Sequence, residues 1–309
     1  MEKPNTIKKK SSPPIVVTFL LIIAVIAITL AGSGCTDNED TDTSQNTNTS
    51  QNTDTSQNTD TPKDSMKLQI AGSTTVLPIA EECARIFMEN NPGSQVYVSG
   101  GGSSHGIKSV AEGVIDIGDA SRDLKDSEKE QYTDLVTHAI AKDGVAIIVH
   151  PSNPINDLSI TQLQGIYTGE ITNWKDIGGK DIEIMVVSRE GGSGTRDCFE
   201  QAVLKPIEKD ITEYAIIQDS NGKVRTTITG SEQGIGFISL GYVNSDVKAV
   251  KLDGTEPTIE NIRSNDYAIS RTLWMITKGN PDGNEQAFLD FVLSDQGQNI
   301  VSEVHYIAL

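Results

Sequence analysis

The chain is poor in the residues from which metal sites and disulfide scaffolds are built. It has three cysteines and four histidines among 309 residues, too few and too scattered for a zinc cluster or a disulfide framework. We therefore expect no metal and no cofactor. Basic residues are also scarce, because 25 lysines and arginines face 43 aspartates and glutamates. The resulting net charge of −18 argues against a nucleic-acid partner, whose phosphates need clustered cations.

Residues 1–34 have the pattern of a signal peptide. Four lysines precede an apolar run from Ile15 to Leu30, which ends in the sequence Ala31-Gly-Ser-Gly-Cys35. Small residues before a cysteine are typical of a lipobox, although Gly32 stands where an apolar residue is usual. This pattern predicts cleavage after residue 34 and a lipid on Cys35. The alternative is an uncleaved N-terminal anchor, and both place the rest of the chain on the extracytoplasmic face of the cell membrane.

Residues 36–63 contain no Leu, Ile, Val, Phe, Tyr or Trp, and Ser-Gln-Asn-Thr begins at positions 44, 50 and 56. Such a segment cannot bury enough apolar surface to offset its ordering entropy. We therefore interpret residues 35–66 as the lipidated cysteine and a polar tether. Cleavage leaves 21 basic against 42 acidic residues, a net charge of −21. A surface this acidic repels an anionic ligand unless hydrogen-bond donors at the binding site outweigh the surface charges, which salt screens.

Residues 67–309 alternate between strand and helix patterns and are long enough for two α/β domains. This alternation favours mainly parallel sheets with helices on both faces. The strands are expected at 67–71, 95–99, 114–118, 144–150, 182–188, 235–240, 247–252 and 272–277. The helices are expected from 77 to a stop at 91–93, at 106–112, at 159–167, from 195 onward, at 283–293 and at 295–304.

Three turns with glycines or hydroxyl side chains follow predicted strands and precede predicted helices. They are Gly72–Thr75, Gly100–Gly106 and Gly191–Arg196. Glycine lets a backbone approach a ligand, and the first N–H groups of a helix are unpaired and partly positive, so such turns bind anions. A single turn of this kind is more often a capped helix start. Three of them, with Arg122 and Arg189 nearby, favour an oxyanion site.

An enzymatic interpretation is also open. Residues Gly102–Gly106 match the G-x-S-x-G pattern of a nucleophile elbow, which would make Ser104 the nucleophile of a serine hydrolase. His138, His150 or His305 would then be the base. An elbow needs only one such turn, and no histidine lies in an evident loop that follows an aspartate in the expected order. A dinucleotide site is disfavoured because Gly100, Gly102 and Gly106 have the wrong spacing.

Seven segments together resemble the phosphate-binding lipoproteins of high-affinity phosphate ABC transporters. The most specific are 166–179 and 188–196, the latter reading SREGGSGTR. The segments occur in this order: Ile70–Pro78, Ser99–Lys108, Asp116–Arg122, Ile166–Gly179, Ser188–Arg196, Gly234–Ser239 and Tyr267–Leu273. They extend over essentially all of residues 67–309.

The resemblance implies an α/β, two-domain periplasmic-binding-protein-like fold of type II, the venus-flytrap architecture, with mainly parallel sheets and a two-crossover hinge. Domain I would comprise 67–147 and 272–309, and domain II 148–271, with crossings near 146–151 and 270–274. The protein would be a monomer that catalyses nothing. It would bind inorganic phosphate in the interdomain cleft and deliver it to membrane permease subunits with a cytoplasmic ATPase. A receptor for another oxyanion such as sulfate is the alternative.

The resemblance also implies a set of phosphate-binding residues. Thr74 would donate its hydroxyl, Thr75 its backbone N–H, and Ser103 a further hydrogen bond from the second turn. The remaining members are Arg189, the donor loop of Ser193, Gly194 and Thr195, and, at positions where related sequences also have arginine, Arg122 and Arg196.

The position of Ser121 departs from the family pattern. Well-known members have an aspartate there, or at Arg122 if a one-residue gap is allowed, and that carboxylate accepts the phosphate proton. Ser121 is therefore included in the site without an assigned acceptor. Asp119, Asp123, Glu190 or Asp197 could supply the acceptor, although each is individually more typical of a solvated charge.

Arg196 falls in the first turn of a predicted helix, where a cation opposes the helix dipole. It therefore needs an anionic partner, which would be the ligand or an acidic side chain such as Asp123 or Glu190. Arg189 ends a predicted strand, from which its side chain can reach across the cleft.

Overall fold

The computed structural model of the protein describes residues 66–309. The expected signal peptide, the lipidation at Cys35 and the tether at 36–63 lie outside these residues. The strands within 66–309 are β1 Lys67–Gly72, β2 Gln95–Gly100, β3 Ile117–Ala120, β4 Leu135–Val149, β5 Asp157–Leu158, β6 Met185–Arg189, β7 Ile216–Gln218, β8 Gly234–Ser239, β9 Lys248–Ala249, β10 Lys251–Leu252 and β11 Ser270–Lys278. The α-helices there are α1 Leu77–Asn90, α2 Ser103–Ala111, α3 Asp126–Gln131, α4 Ile160–Thr168, α5 Gly194–Phe199, α6 Asn221–Thr229, α7 Ile259–Arg263, α8 Gly283–Leu293 and α9 Asp295–Glu303.

One nine-stranded sheet runs through the described residues in the order β2-β1-β3-β11-β4-β8-β6-β7, with β9 beside β4. Strand β1 pairs in parallel with β2 and β3, and β6 pairs in parallel with β7 and β8. The long strands β4 and β11 are antiparallel to their neighbours and join the two parallel groups. The expected α/β class with mainly parallel strands is confirmed, with two antiparallel strands at its centre.

The apolar core is divided along the chain. One large cluster takes its buried side chains from residues up to Ala141 and again from Leu273 onward. The other takes them from Val145 to Ile269, together with Ile307. We call residues 66–141 and 273–309 the first lobe, residues 145–269 the second lobe, and the short segments 142–144 and 270–272 between them the hinge strands.

Local sequence explains several element boundaries. Ser159 caps α4 as expected: the Gln162 N–H donates to Ser159 Oγ at 3.1 Å, and the Ser159 N–H donates to Gln162 Oε1 at 2.9 Å. Gly169 ends that helix with a φ of +80°, a conformation that glycine adopts without strain. Both ends of α4 are therefore specified by nearby residues.

Several expected elements differ from the observed ones. The third strand begins at Ile117 rather than at Val114, because Val114 is 64% exposed and its N–H closes the end of α2 on Ser109 O. The strand expected at 247–252 is split into β9 and β10. Strand β4 begins at Leu135, nine residues before the expected start, because its first residues are only partly buried and form a strand by pairing with β11.

An aromatic stack lies at the centre of the second lobe. The rings of Phe199 and Phe237 are stacked with centroids 4.3 Å apart, and the Tyr167 ring lies 4.5 Å from that of Phe199. All three residues are fully buried. Their packing joins α4, α5 and β8 and holds the turn before α5 in place.

Truncation of this stack should destabilise the protein. We expect Phe237→Ala to lower the free energy of unfolding by about 3–5 kcal/mol through lost burial and a residual cavity. Tyr214→Ala is the matched control, since Tyr214 is 85% exposed and should change stability by less than about 0.5 kcal/mol. Urea unfolding measures both, and equal effects of the two variants would contradict the described packing.

Candidate functional site

The three expected turns meet where the lobes face each other, at the carboxyl ends of β1, β2 and β6. A fourth turn, Asp219–Ser220, joins them between β7 and α6. Thr75, Ser103, Thr195 and Asn221 come from the four turns or the helix starts that follow them, and each is almost completely buried. Four strand ends therefore deliver small polar side chains to one place, as is usual for ligand sites in α/β proteins.

Gly194 lets the lobes approach closely. A Cβ atom at this position would lie 2.4 Å from Ser103 Oγ and 2.6 Å from Ser121 Oγ, distances that no side chain can occupy. Ser103 Oγ in turn accepts a hydrogen bond of 3.0 Å from the Ser121 N–H. The expected site members Ser103, Ser121 and Gly194 are thus neighbours, and the glycine is required sterically.

Hydroxyl groups from the two lobes contact each other directly. Thr75 Oγ1 and Thr195 Oγ1 lie 3.1 Å apart. Asn221 Nδ2 donates to Thr75 Oγ1 at 3.0 Å and to Thr74 Oγ1 at 3.3 Å. The Thr75 N–H, the group expected to donate to the ligand, donates to Ser73 Oγ at 3.2 Å within its own turn, and the Thr75 hydroxyl faces this cluster.

Arg271, on a hinge strand, connects the hydroxyl groups of both lobes. Its guanidinium donates to Thr75 Oγ1 at 3.1 Å and to Thr195 Oγ1 at 3.0 Å. It also donates to Asp143 Oδ2 at 2.7 and 2.9 Å, and to Ser121 O and Oγ at 3.3 and 3.4 Å. The side chains of Arg271 and Asp143 are 4% and 1% exposed. Burial raises the pKa of Asp143, while Arg271 and the Ser239 hydroxyl act in the opposite direction.

Arg189 has one donor nitrogen without a protein acceptor. Its Nε and Nη2 atoms donate to the two Glu190 carboxylate oxygens at 3.0 and 2.9 Å, and to the carbonyls of Gln218 and Asp219. Its Nη1 atom is buried and has no hydrogen-bond partner among residues 66–309. A buried charged donor without a partner is costly, so this nitrogen needs an acceptor other than the described residues.

Arg122 and Arg196 donate to protein carboxylates. Arg122 donates two hydrogen bonds of 2.7 Å to Glu128. Its Nε lies 2.8 Å from Asp197 Oδ2 and forms an ion pair with it, without the geometry of a hydrogen bond. Arg196 donates to Glu200 Oε1 at 2.7 Å. The partner of Arg196 is therefore Glu200, one helical turn away, and not Asp123 or Glu190, the acidic residues expected from the sequence.

Ser193 has a local structural role. Its Oγ atom accepts a hydrogen bond of 3.2 Å from the Arg196 N–H and so caps α5. This cap leaves the first N–H groups of α5, those of Gly194 and Thr195, without a helical acceptor. The turn therefore presents backbone donors at the same place as the Thr195 hydroxyl.

The four candidate proton acceptors have different environments. Asp119 is fully buried without a hydrogen-bond partner for its carboxyl group among the described residues, and burial raises its pKa well above the ordinary range. Asp123 accepts from Trp274 Nε1 at 3.0 Å. Glu190 and Asp197 lie against arginines. Three of the four thus face protein donors, whereas the Asp119 carboxyl group has none among the described residues.

The arrangement around Ser104 does not resemble a nucleophile with its base. The Ser104 hydroxyl accepts a hydrogen bond of 2.9 Å from Arg122 Nη2. In the part of the chain that the structure describes, no histidine forms a hydrogen bond with Ser104; His138 contacts Thr277 and His150 contacts Ser152. An arginine beside the hydroxyl cannot remove its proton.

Two residues of this site, Arg271 and Asn221, were not predicted from the sequence. Arg271 was present in one of the seven resembling segments, which could have identified it. Asn221 follows Ser220 at the start of α6, but the preceding strand β7 has three residues and gives no clear pattern. Across residues 66–309 no helix is both long and apolar enough to cross a membrane, and no group of three metal-type ligands occurs.

Comparisons with known proteins agree with this geometry. The family model of the PBP superfamily domain matches residues 41–296. The phosphate-binding protein PstS of Bacillus subtilis is 35% identical over 247 residues, which cover 79% of this chain and 81% of the relative. The protein of that name from Borreliella burgdorferi is 33% identical over 258 residues, covering 80% of this chain and 92% of the relative.

Solved structures are similar over the same part of the chain. A phosphate ABC transporter substrate-binding protein of Clostridium perfringens, determined with bound phosphate, is 44% identical with a TM-score of 0.75 and covers 79% of this chain and 99% of its own. An ABC-type phosphate transport receptor of Vibrio cholerae is 36% identical with a TM-score of 0.66 and covers 78% and 100%. The chain therefore belongs to the PBP superfamily and, within it, to the family of PstS phosphate-binding proteins.

Proposed function

We propose that this protein binds inorganic phosphate between its two lobes and delivers it to an ABC transporter for import. The observation that carries the proposal is Arg189 Nη1, a buried cationic donor with no acceptor among the described residues. It belongs to a site in which hydroxyl groups and helix starts also converge. A small oxyanion supplies the acceptor oxygens that this arrangement needs.

The electrostatic balance of the site fits an anion held by local donors. Arg189 is paired with Glu190 and Arg271 with Asp143, so the two arginines contribute little net charge. Burial of a dianion is costly unless its oxygens are fully paired. Hydroxyl groups, the N–H groups at the start of α5 and the free arginine nitrogen can provide that pairing, and hydrogen bonds to a charged group contribute about 1.5–3 kcal/mol each.

The relatives support the choice of phosphate among oxyanions. The Clostridium perfringens structure contains bound phosphate, and the curated relatives are named phosphate-binding proteins. We propose the binding set Thr74, Thr75, Ser103, Ser121, Arg189, Gly194 and Thr195, with Asn221 and Arg271 positioning the hydroxyls. Ser193 acts as the cap of α5, and Arg122 and Arg196 support the site through their carboxylate partners.

We further propose a domain division at the hinge strands. The first change of domain lies between Ala141 and Val145 in β4, and the second between Ile269 and Leu273 at the start of β11. At both places the buried side chains pass from one apolar cluster to the other. The first change lies a few residues before the boundary at 147 expected from the sequence. Opening about these segments would admit the ligand.

The transport role assigns the remaining functions to other molecules. The sequence has no Walker A motif, so energy would come from a cytoplasmic ATPase acting through permease subunits. We propose that a lipid on Cys35 anchors the protein, as a monomer, to the extracytoplasmic face of the membrane. The protein itself would catalyse no reaction, as the family resemblance implies, and Ser104 has an arginine rather than a base as its neighbour.

Titration calorimetry tests the ligand. We expect saturable one-to-one binding of phosphate and similar binding of arsenate, which has the same shape and protonation. Sulfate should bind at least about tenfold more weakly because it lacks the proton that phosphate can donate, a hydrogen bond of roughly 1.4 kcal/mol. Sulfate binding as tight as phosphate binding would contradict the assignment.

The two arginines beside α5 should differ in their effect on affinity. Arg189→Ala should weaken phosphate binding by about 2–5 kcal/mol, roughly 30-fold to several thousand-fold, because a buried anion loses its charged partner. Arg196→Ala, the matched control, should cost less than about 1 kcal/mol. In the double variant Arg189→Ala/Glu190→Gln, the Glu190 carboxylate that loses its arginine partner is replaced by an amide. Thermal unfolding of this variant shows whether a loss of binding comes from misfolding. Equal losses for Arg189→Ala and Arg196→Ala would contradict the assigned roles.

The hinge ion pair should dominate local stability. Arg271→Ala leaves Asp143 buried without its cation and should cost about 3–5 kcal/mol of unfolding free energy. Arg271→Ala/Asp143→Ala should recover part of this loss, because no isolated charge remains. Urea unfolding of the wild type, both single variants and the double variant gives the coupling energy. A coupling energy near zero would show that the pair is not formed.

A further inference from the structure

Two ion pairs connect the first lobe with the second, and neither includes a member of the proposed phosphate-binding set. Asp197 Oδ2 lies 2.8 Å from Arg122 Nε and 2.9 Å from Lys125 Nζ. Among residues 66–309, every other ion pair within 4 Å joins residues of a single lobe or of the two hinge strands. One carboxylate of the second lobe therefore carries all the ion pairs between the lobes in the described part of the chain.

The two cations are held in place by contacts within the first lobe. Arg122 donates two hydrogen bonds of 2.7 Å to the carboxylate of Glu128 and one of 2.9 Å to Asp123 O. The Lys125 N–H also donates to Glu128, at 2.8 Å. Helix α3, which carries Glu128, has no buried residue, so these polar contacts fix it beside Arg122. The first lobe thus positions both cations before Asp197 reaches them.

Asp197 belongs to the helix whose start contributes to the proposed phosphate site. It lies in the first turn of α5, two residues after Thr195. The Asp197 N–H donates at 3.0 Å to the carbonyl oxygen of Ser193, the residue that caps this helix. A force on the Asp197 carboxylate therefore acts on the same turn that presents Gly194 and Thr195.

The ion pair between Arg122 and Asp197 is shielded from water while the lobes are in contact. The two side chains are 6% and 16% exposed, and the paired atoms Arg122 Nε and Asp197 Oδ2 are both buried. Salt screens such a pair much less than an exposed one. When the lobes separate, Arg122 keeps Glu128, whereas Asp197 loses both cations. The contact therefore acts only on the closed arrangement.

We propose that Asp197 is a positioning residue for phosphate binding, which closes onto Arg122 and Lys125 and slows the release of phosphate without touching the ligand. The proposal rests on the proposed function, phosphate binding between the lobes. A contact that exists only while the lobes are together must break before the ligand can leave. Loss of one partner of a buried charge pair changes mainly dissociation, whereas loss of an exposed rim charge changes mainly association.

Stopped-flow kinetics of phosphate binding and release by the purified full-length chain test the proposal. Asp197→Asn keeps the size of the side chain and removes its charge. The matched control is Asp181→Asn, the same substitution at an exposed ion pair within the second lobe, where Asp181 lies 2.9 Å from Lys175. Both variants change the net charge by one unit, so an effect common to the two comes from overall charge. Thermal unfolding without phosphate checks the folding of each variant.

We expect Asp197→Asn to release phosphate about 5- to 30-fold faster than the wild type, with an association rate within about twofold of the wild-type value. Asp181→Asn should keep both rates within about twofold, because exposed ion pairs contribute little. Lys125→Gln should speed release by about 2- to 5-fold, since this lysine is 46% exposed and its pair is weaker. Because Lys125 is exposed, this variant still tests the contact if Asp197→Asn does not fold.

The double variant Asp197→Asn/Lys125→Gln tests whether the two residues act through one contact. Its release should be slower than the product of the two single effects requires, because the second substitution removes a contact already lost. Equal release rates in Asp197→Asn and Asp181→Asn, a change in association alone, or independent effects in the double variant would overturn the positioning role while leaving phosphate binding intact. Absence of phosphate binding by the wild-type chain would instead overturn the proposed function.

Discussion

Arg271, buried at the hinge, links hydroxyl groups of the two lobes. One guanidinium reaches Thr75 of the first lobe and Thr195 of the second, while Asp143 on the adjacent strand balances its charge. Because Arg271 and Asp143 are opposite each other in the β4–β11 register, the sheet itself fixes the position of the pair. The polar site is therefore attached to the paired central strands of the sheet.

An acidic protein can hold an anion when the donors that touch the ligand outweigh the more distant surface charges. Surface charges are screened within about 8 Å at physiological ionic strength, whereas a buried ligand responds to the donors that touch it. Arg189 and Arg271 both have carboxylate partners, so selectivity and affinity depend on the geometry of hydroxyls and N–H groups more than on net charge. Arg189 Nη1 is the exception, as a cationic donor that the described protein residues leave without an acceptor.

The sequence predicted those features that short segments specify. The turns after β1, β2 and β6 follow from glycines and hydroxyls beside apolar strands, and the cap at Ser159 follows from two residues. The first half of β4 could not be predicted in this way, because its half-exposed residues form a strand only when β11 pairs with them. The partners of Arg122 and Arg196 were likewise not predictable from local pattern: several acidic residues lie within reach of each, and tertiary packing chooses among them.

A crystal structure of the protein with phosphate tests the central claim most directly. The account predicts the anion between the two lobes, with one phosphate oxygen at about 2.7–2.9 Å from Arg189 Nη1, the distance of a charge-assisted hydrogen bond. It also predicts contacts from the start of α5 and from the hydroxyls of Thr75 and Thr195. Phosphate bound elsewhere, with Arg189 Nη1 still lacking an acceptor, would contradict it.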